Sequence, residues 1–134
     1  VICGYSPCAN KKTDSGTVYQ QHRQYLINKL NNDTCPRARF REDLLRQMKQ
    51  WRKDGEGLIL CLDANKNIYQ GELGRQLTKL NGLGMKEVVG EFTARQLGAT
   101  YFRGSEPIDG VWTTGDITVM NACVMPVGFG VGDH

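Results

Sequence analysis

Five consecutive apolar residues, Leu58-Ile59-Leu60-Cys61-Leu62, follow Gly57 and stop abruptly at Asp63-Ala64-Asn65. The run is too short for a helix and lacks apolar/polar alternation, so it predicts a strand buried on both faces. A strand of that kind needs a covering layer on each side, which narrows the chain to architectures built around a sheet. It is also the longest purely apolar run. It falls far short of the roughly 20 residues a bilayer-spanning helix needs, so a membrane span is excluded.

The chain has 134 residues, of which 40% are hydrophobic and 23% charged. That is one domain, residues 1–134, too apolar to be disordered. Lys plus Arg number 17 and Asp plus Glu 14, a net of +3. This mild excess permits a polyanionic partner without requiring one. The five Cys form an odd set with no CxxC pair. Cys61 and Cys123 sit in apolar runs and are expected as buried free thiols. With no charged-then-apolar leader at the start, a reducing, intracellular location is expected, nuclear or cytoplasmic. Val1 opens inside an apolar stretch and His134 follows no closing element, so both ends read as cut.

Along the chain, Val1-Ile2-Cys3-Gly4-Tyr5 is β-prone and Ser6-Pro7 ends it. A polar loop over 9–17 leads to a helical spacing of Val18, His22, Tyr25, Leu26 and Leu30, with Thr17 or Ser15 as cap. Pro36 suits a first helical position; Phe40, Leu44, Leu45, Met48 and Trp51 then share one face, and Lys53-Asp54-Gly55 marks the end. The arginines of 37–52 lie mostly elsewhere on this helix, either as a solvated face or as a phosphate-contacting one. After the apolar run, Leu73, Leu77 and Leu80 give a weak helical pattern, and 85–92 predicts a short helix. Strands are expected over 99–102, 108–114 and 117–125. The order argues for an α/β or α+β architecture, helices packed on a mostly β layer.

Four places end apolar strands with residues capable of chemistry, where a rigid scaffold meets an open rim. Asp63 and Asn65, two apart, could orient a water and hold a phosphoryl oxygen; the same residues also favour a plain turn. Asp109 lies among Ile108, Val111 and Trp112, so it either faces solvent on an edge strand or serves a site. His134 follows Asp133 but meets a different acid more readily than its neighbour, Asp109 being the candidate; a solvent-exposed terminal His is the alternative. Tyr5 could donate to a phosphate or pack at a sheet margin. Scattered Cys and two His argue against zinc, and there is no P-loop. Ser105, in Gly104-Ser105-Glu106, does not sit in a nucleophile elbow.

Taken in order, Gly4-Tyr5-Ser6-Pro7, Leu60-Cys61-Leu62-Asp63-Ala64-Asn65, Ser105-Glu106-Pro107-Ile108-Asp109-Gly110-Val111-Trp112 and Gly132-Asp133-His134 resemble the endonuclease/exonuclease/phosphatase superfamily, the deoxyribonuclease I-like group. The resemblance implies a two-sheet α/β sandwich, of which this chain would be the C-terminal portion: a mixed sheet with helices on one face. It implies a metal-dependent phosphodiester hydrolase, most simply an endonuclease using Mg²⁺ or Mn²⁺. Tyr5 would bond the scissile phosphate. Asp63 and Asn65 would align the attacking water and stabilise the oxyanion. Asp109 would orient the His134 imidazole, the base, and Asp133 would be a metal-associated acid. Thr100, Arg103 and Ser105 occupy the stretch before the Asp109 strand, with Arg103 and Ser105 as substrate contacts. Oxygen donors with one His and one amide suit a hard cation and in-line attack on phosphorus.

The sequence also departs from the family pattern. Leu62 and Ala64 replace the residues usually flanking the strand-end acid, and Gly110 replaces a large aromatic. The family's metal-binding Glu precedes the Tyr strand, and only four residues precede Tyr5 here. Expected partners are nucleic acid, DNA ahead of RNA, with no membrane. The alternative is a catalytically incomplete nucleic-acid-binding or scaffold remnant of the same fold, acting through the arginines of 37–52.

Overall fold

The long apolar run becomes the second strand of a four-stranded mixed sheet in the computed structural model, which describes residues 1–9, 16–31, 33–79 and 82–125. Its strands are β1 (Ile2–Tyr5), β2 (Ile59–Asp63), β3 (Lys86–Glu87) and β4 (Asp109–Thr113), in the order β1-β2-β4-β3. Four helices accompany them: α1 (Val18–Leu30), α2 (Pro36–Lys53), α3 (Glu72–Thr78) and α4 (Val88–Thr93). β1 runs parallel to β2, and β4 is antiparallel to both β2 and β3. Parallel neighbours require a long crossover, and α1 and α2 supply it. The chain is therefore mixed α/β. No helix among the described residues is long and apolar enough to cross a membrane.

Helix boundaries follow local chemistry. Thr17 Oγ1 accepts from the Gln20 N–H to start α1, and Asn31 ends it in a left-handed conformation with φ 48°. Pro36 opens α2, and Gly55, at φ 86°, lies just past its end. Leu45 and Met48 of α2 are buried against Leu60, Leu62 and Trp112 of the sheet, with Ile68, Leu77 and Met85 completing the core. Gly74 of α3 crosses the 68–71 turn so closely that an added Cβ would collide with the Ile68 carbonyl. Alanine normally stabilises a helix interior over glycine. Here Gly74→Ala is expected to cost roughly 1–3 kcal/mol in urea unfolding, because backbone cannot move aside as a side chain can.

Several expectations are corrected. β2 is not buried on both faces: Leu60 and Leu62 are buried, whereas Ile59, Cys61 and Asp63 are half-buried on the opposite face. That second face is only partly covered. Residues 97–100 and 123–125 border a groove of about 550 Å³ over Cys3, Cys61 and Val111. Cys123 is exposed and Cys61 half-buried, so neither is a core thiol, although all five cysteines are free. The 85–92 segment is not one helix. Lys86 and Glu87 pair with Thr113 and Trp112, and α4 then starts at Val88. The Glu87 carboxylate causes the switch: it accepts from the Val89 and Gly90 N–H groups and from the Tyr69 hydroxyl. Residues 99–102 form a bend and turn, closed by the Gly104 N–H on the Tyr101 carbonyl. Residues 117–125 have strand composition but join no ladder among the described residues. β-propensity supplies a surface for pairing, not a partner.

Candidate functional site

The site lies where β1 and β2 end and the antiparallel β4 begins. Tyr5 is the Cα partner of Asp63, and Asp63 is the Cα partner of Asp109. Residues opposite one another across a sheet share a face, so these three side chains form one row on the partly open side. The Ala64 N–H donates to the Ile108 carbonyl at 2.7 Å and the Thr114 N–H to the Leu58 carbonyl at 3.0 Å. That pattern makes Asp63 and Asp109 a non-hydrogen-bonded pair, the closer kind, with Cα atoms about 4.5 Å apart. Two carboxylates directly opposite are unfavourable for the sheet alone.

The turn after β2 holds Asp63 in place. Asn65 adopts φ 46°, a left-handed conformation that Asn tolerates. Its N–H donates to Asp63 Oδ1 at 2.8 Å, and its Nδ2 donates to the Ser6 carbonyl at 2.8 Å and lies 3.5 Å from Asp63 Oδ2. Asp63 and Asn65 thus meet through a turn, not by continuing the strand. The plain-turn and functional readings describe one geometry. Ser6 returns a 2.8 Å bond from its N–H to the Asp63 carbonyl, locking the ends of β1 and β2 together. Arg37, in the first turn of α2, donates through Nη2 to the carbonyls of Ala64 and Asn65 at 3.1 and 3.3 Å.

Asp109 is positioned by Thr100. The Thr100 hydroxyl accepts from the Ile108 and Asp109 N–H groups, both at 3.0 Å. With its two lone pairs taken, its single proton is directed to Asp109 Oδ2, 2.6 Å away. Tyr5 is 48% exposed, so its hydroxyl is open to an incoming group. Arg103 lies over the Phe102 ring, 5.6 Å from its centroid, and Ser105 is exposed; both belong to the turn between Thr100 and β4. Asp133 and His134 lie outside the described residues.

Sequence reasoning held Arg37 only as one of the helix arginines, Ser6 only as the residue that ends β1, and Thr100 only by its position. Arg37 carries no local signal, since its partners are 27 and 28 residues away in sequence. The other α2 arginines are largely occupied. Arg39 and Arg46 both pair with Asp43, and Arg52 pairs with Asp116. That favours the solvated-face reading for most of the helix.

Away from the row, Cys35 caps the start of α2. Burial pushes its thiol up. The Ala38 and Arg37 N–H groups, the Tyr19 hydroxyl and the Arg37 charge outweigh that and hold it below the ordinary thiol value. Burial pushes Cys61 above that value, reinforced by the neighbouring Cys3. The thiolate is the nucleophile, so the pH dependence of iodoacetamide alkylation is expected to rise at lower pH for Cys35 than for Cys61. Peptide mass spectrometry would read it, and earlier modification of Cys61 would contradict these environments.

The carboxylate oxygens of Asp63 and Asp109 are the kind a hard divalent cation prefers, whereas the Thr100 hydroxyl has both lone pairs taken and the Asn65 carboxamide is held against Ser6. Among the described residues, no group of three His, Cys, Asp or Glu side chains is arranged to hold a metal ion. Comparison with protein-family models, curated proteins and solved structures gives no match.

Proposed function

We propose that the chain is a metal-dependent phosphodiester hydrolase of the deoxyribonuclease I-like type, an endonuclease acting on DNA. One observation carries it: Tyr5, Asp63 and Asp109 are far apart in sequence yet stand side by side at one sheet end, with Asn65 tied to Asp63. A chance distribution of motifs has no reason to converge in this way.

The roles are those the resemblance implies, set on this geometry. Tyr5, exposed beside Asp63, donates its hydroxyl proton to a phosphate oxygen. Asp63 accepts from the attacking water and aligns it. Asn65 fixes the Asp63 carboxylate through its N–H. Its carboxamide is held against Ser6, so it acts more by positioning than by direct contact. Asp109 is held by Thr100; His134 is the base the resemblance assigns to it, with Asp133 as metal ligand. A bound Mg²⁺ or Mn²⁺ would supply positive charge to the phosphate oxygens. Arg103 and Ser105 are the substrate contacts proposed on the adjoining turn.

The test is nicking of supercoiled plasmid with Mg²⁺ and with EDTA. Metal-dependent nicks are expected. Equal nicking in EDTA, or none with any divalent ion, counts against catalysis by this chain and for the binding-remnant alternative.

A further inference from the structure

Immediately past the acidic row, on the side facing α2 and α3, is a cleft of about 250 Å³. Ser6 and Ala64 line it, each one residue beyond Tyr5 and Asp63, so strand alternation puts the cleft on the opposite face of the sheet from the row. Arg37, Arg41, Lys66 and Glu72 supply its charged groups, three cations against one acid. Glu72 is engaged by Gln76 at 2.7 Å and Arg75 at 2.9 Å, and the Arg41 charge also acts on its carboxylate. None of the three cations forms an ion pair within 4.0 Å among the described residues, whereas Arg39, Arg46, Arg52 and Arg75 all do. Arg37 is hydrogen-bonded to two carbonyls, which orients it without neutralising its charge. Arg41 is half-buried and Lys66 exposed, so a rigid cation and a reaching one meet at the same opening.

We propose that this cleft seats a phosphate of a nucleic-acid backbone. This rests on the phosphodiesterase reading for the identity of the polyanion. The cleft's affinity for a phosphate backbone does not depend on catalysis. Arg and Lys contacts to phosphate release counterions, so each contact adds to the salt dependence of binding. Arg37 holds the turn as well as lining the cleft, so Arg41 and Lys66 are the residues to change.

The experiment is fluorescence anisotropy of a labelled DNA duplex with the full chain, in EDTA, across a salt series. Lys66→Glu alters an exposed side chain and leaves the core untouched; Arg41→Gln keeps part of the stem. Each is expected to weaken binding about 3–10-fold and lower the slope of log K against log salt by roughly one per lost contact. Wild-type affinity and slope in both variants would overturn the proposal, as would salt-independent binding by the parent chain. Failure of the catalytic reading is distinguishable. If the parent chain does not nick plasmid but both variants bind weakly, the cleft stands without the nuclease. Nicking with unchanged duplex binding in both variants removes the cleft and leaves the nuclease.

Discussion

Asp63→Ala is expected to lower Mg²⁺-dependent plasmid nicking by about 10²–10⁴-fold, the range for losing a positioned acid/base group. The carboxylate stands between Tyr5 and Asp109 and is the centre of the row. Its removal takes away the acceptor that would align the water. It also removes the Oδ1 atom that receives the Asn65 N–H, so part of the loss could come from a relaxed turn. Asp63→Asn separates the two effects. Its carboxamide oxygen can still accept from Asn65, but it lacks the charge. If charge and proton acceptance matter, the Asn variant nicks as poorly as the Ala variant while melting like the parent. Asp109→Ala is expected to fall in the same range. Parental nicking rates in both Asp63→Ala and Asp109→Ala would end the case for this row as a catalytic site.

Trp112→Ala is expected to be the most destabilising core substitution, at about 3–5 kcal/mol. Trp112 is 1% exposed and sits in β4, between β2 and β3. Its ring lies over Gly110, where an added Cβ would meet the indole at 2.6 Å. The absence of a side chain at 110 is what lets the indole fold back over the strand. A domain of this size is stabilised by about 5–15 kcal/mol in all, so a loss of this size is a large share of the total. Trp112→Phe makes the informative contrast. The indole Nε1 is buried with no hydrogen-bond partner among the described residues, a penalty of roughly 1–3 kcal/mol. Phenylalanine removes that penalty while keeping much of the ring, so its net cost in urea unfolding is expected below about 1.5 kcal/mol. A Phe variant as unstable as the Ala variant would show that the indole N–H is satisfied in solution.

Legibility differed by element. The apolar run, the Pro36-to-Gly55 helix and the Asp109 strand could be read because their signals are local: a short unbroken hydrophobic stretch, a 3.6-residue spacing, a proline that opens and a glycine that closes. The 99–102 and 117–125 segments carry equally good strand composition and form none. Thr100 is held by hydrogen bonds to β4 from a turn, and 117–125 pairs with no described strand. β3 is only two residues long and depends on the edge of β4. Cys123 looked like a core thiol because its neighbours are apolar, yet it is exposed.

The sequence alone determined the elements whose energy is settled within a dozen residues, and it marked Tyr5, Asp63, Asn65 and Asp109 as polar groups at strand ends. It could not say that these groups meet. That depends on register, and a shift of one residue in either pairing would send the acids to opposite faces. Tertiary structure decided the register through long-range bonds: Ser6 to Asp63, Ala64 to Ile108, and Arg37 across to the Asn65 turn. It also decided which arginines of α2 are spent on ion pairs and which face the cleft. Both outcomes depend on what the far end of the chain places opposite each side chain, and that is a property of the packed molecule.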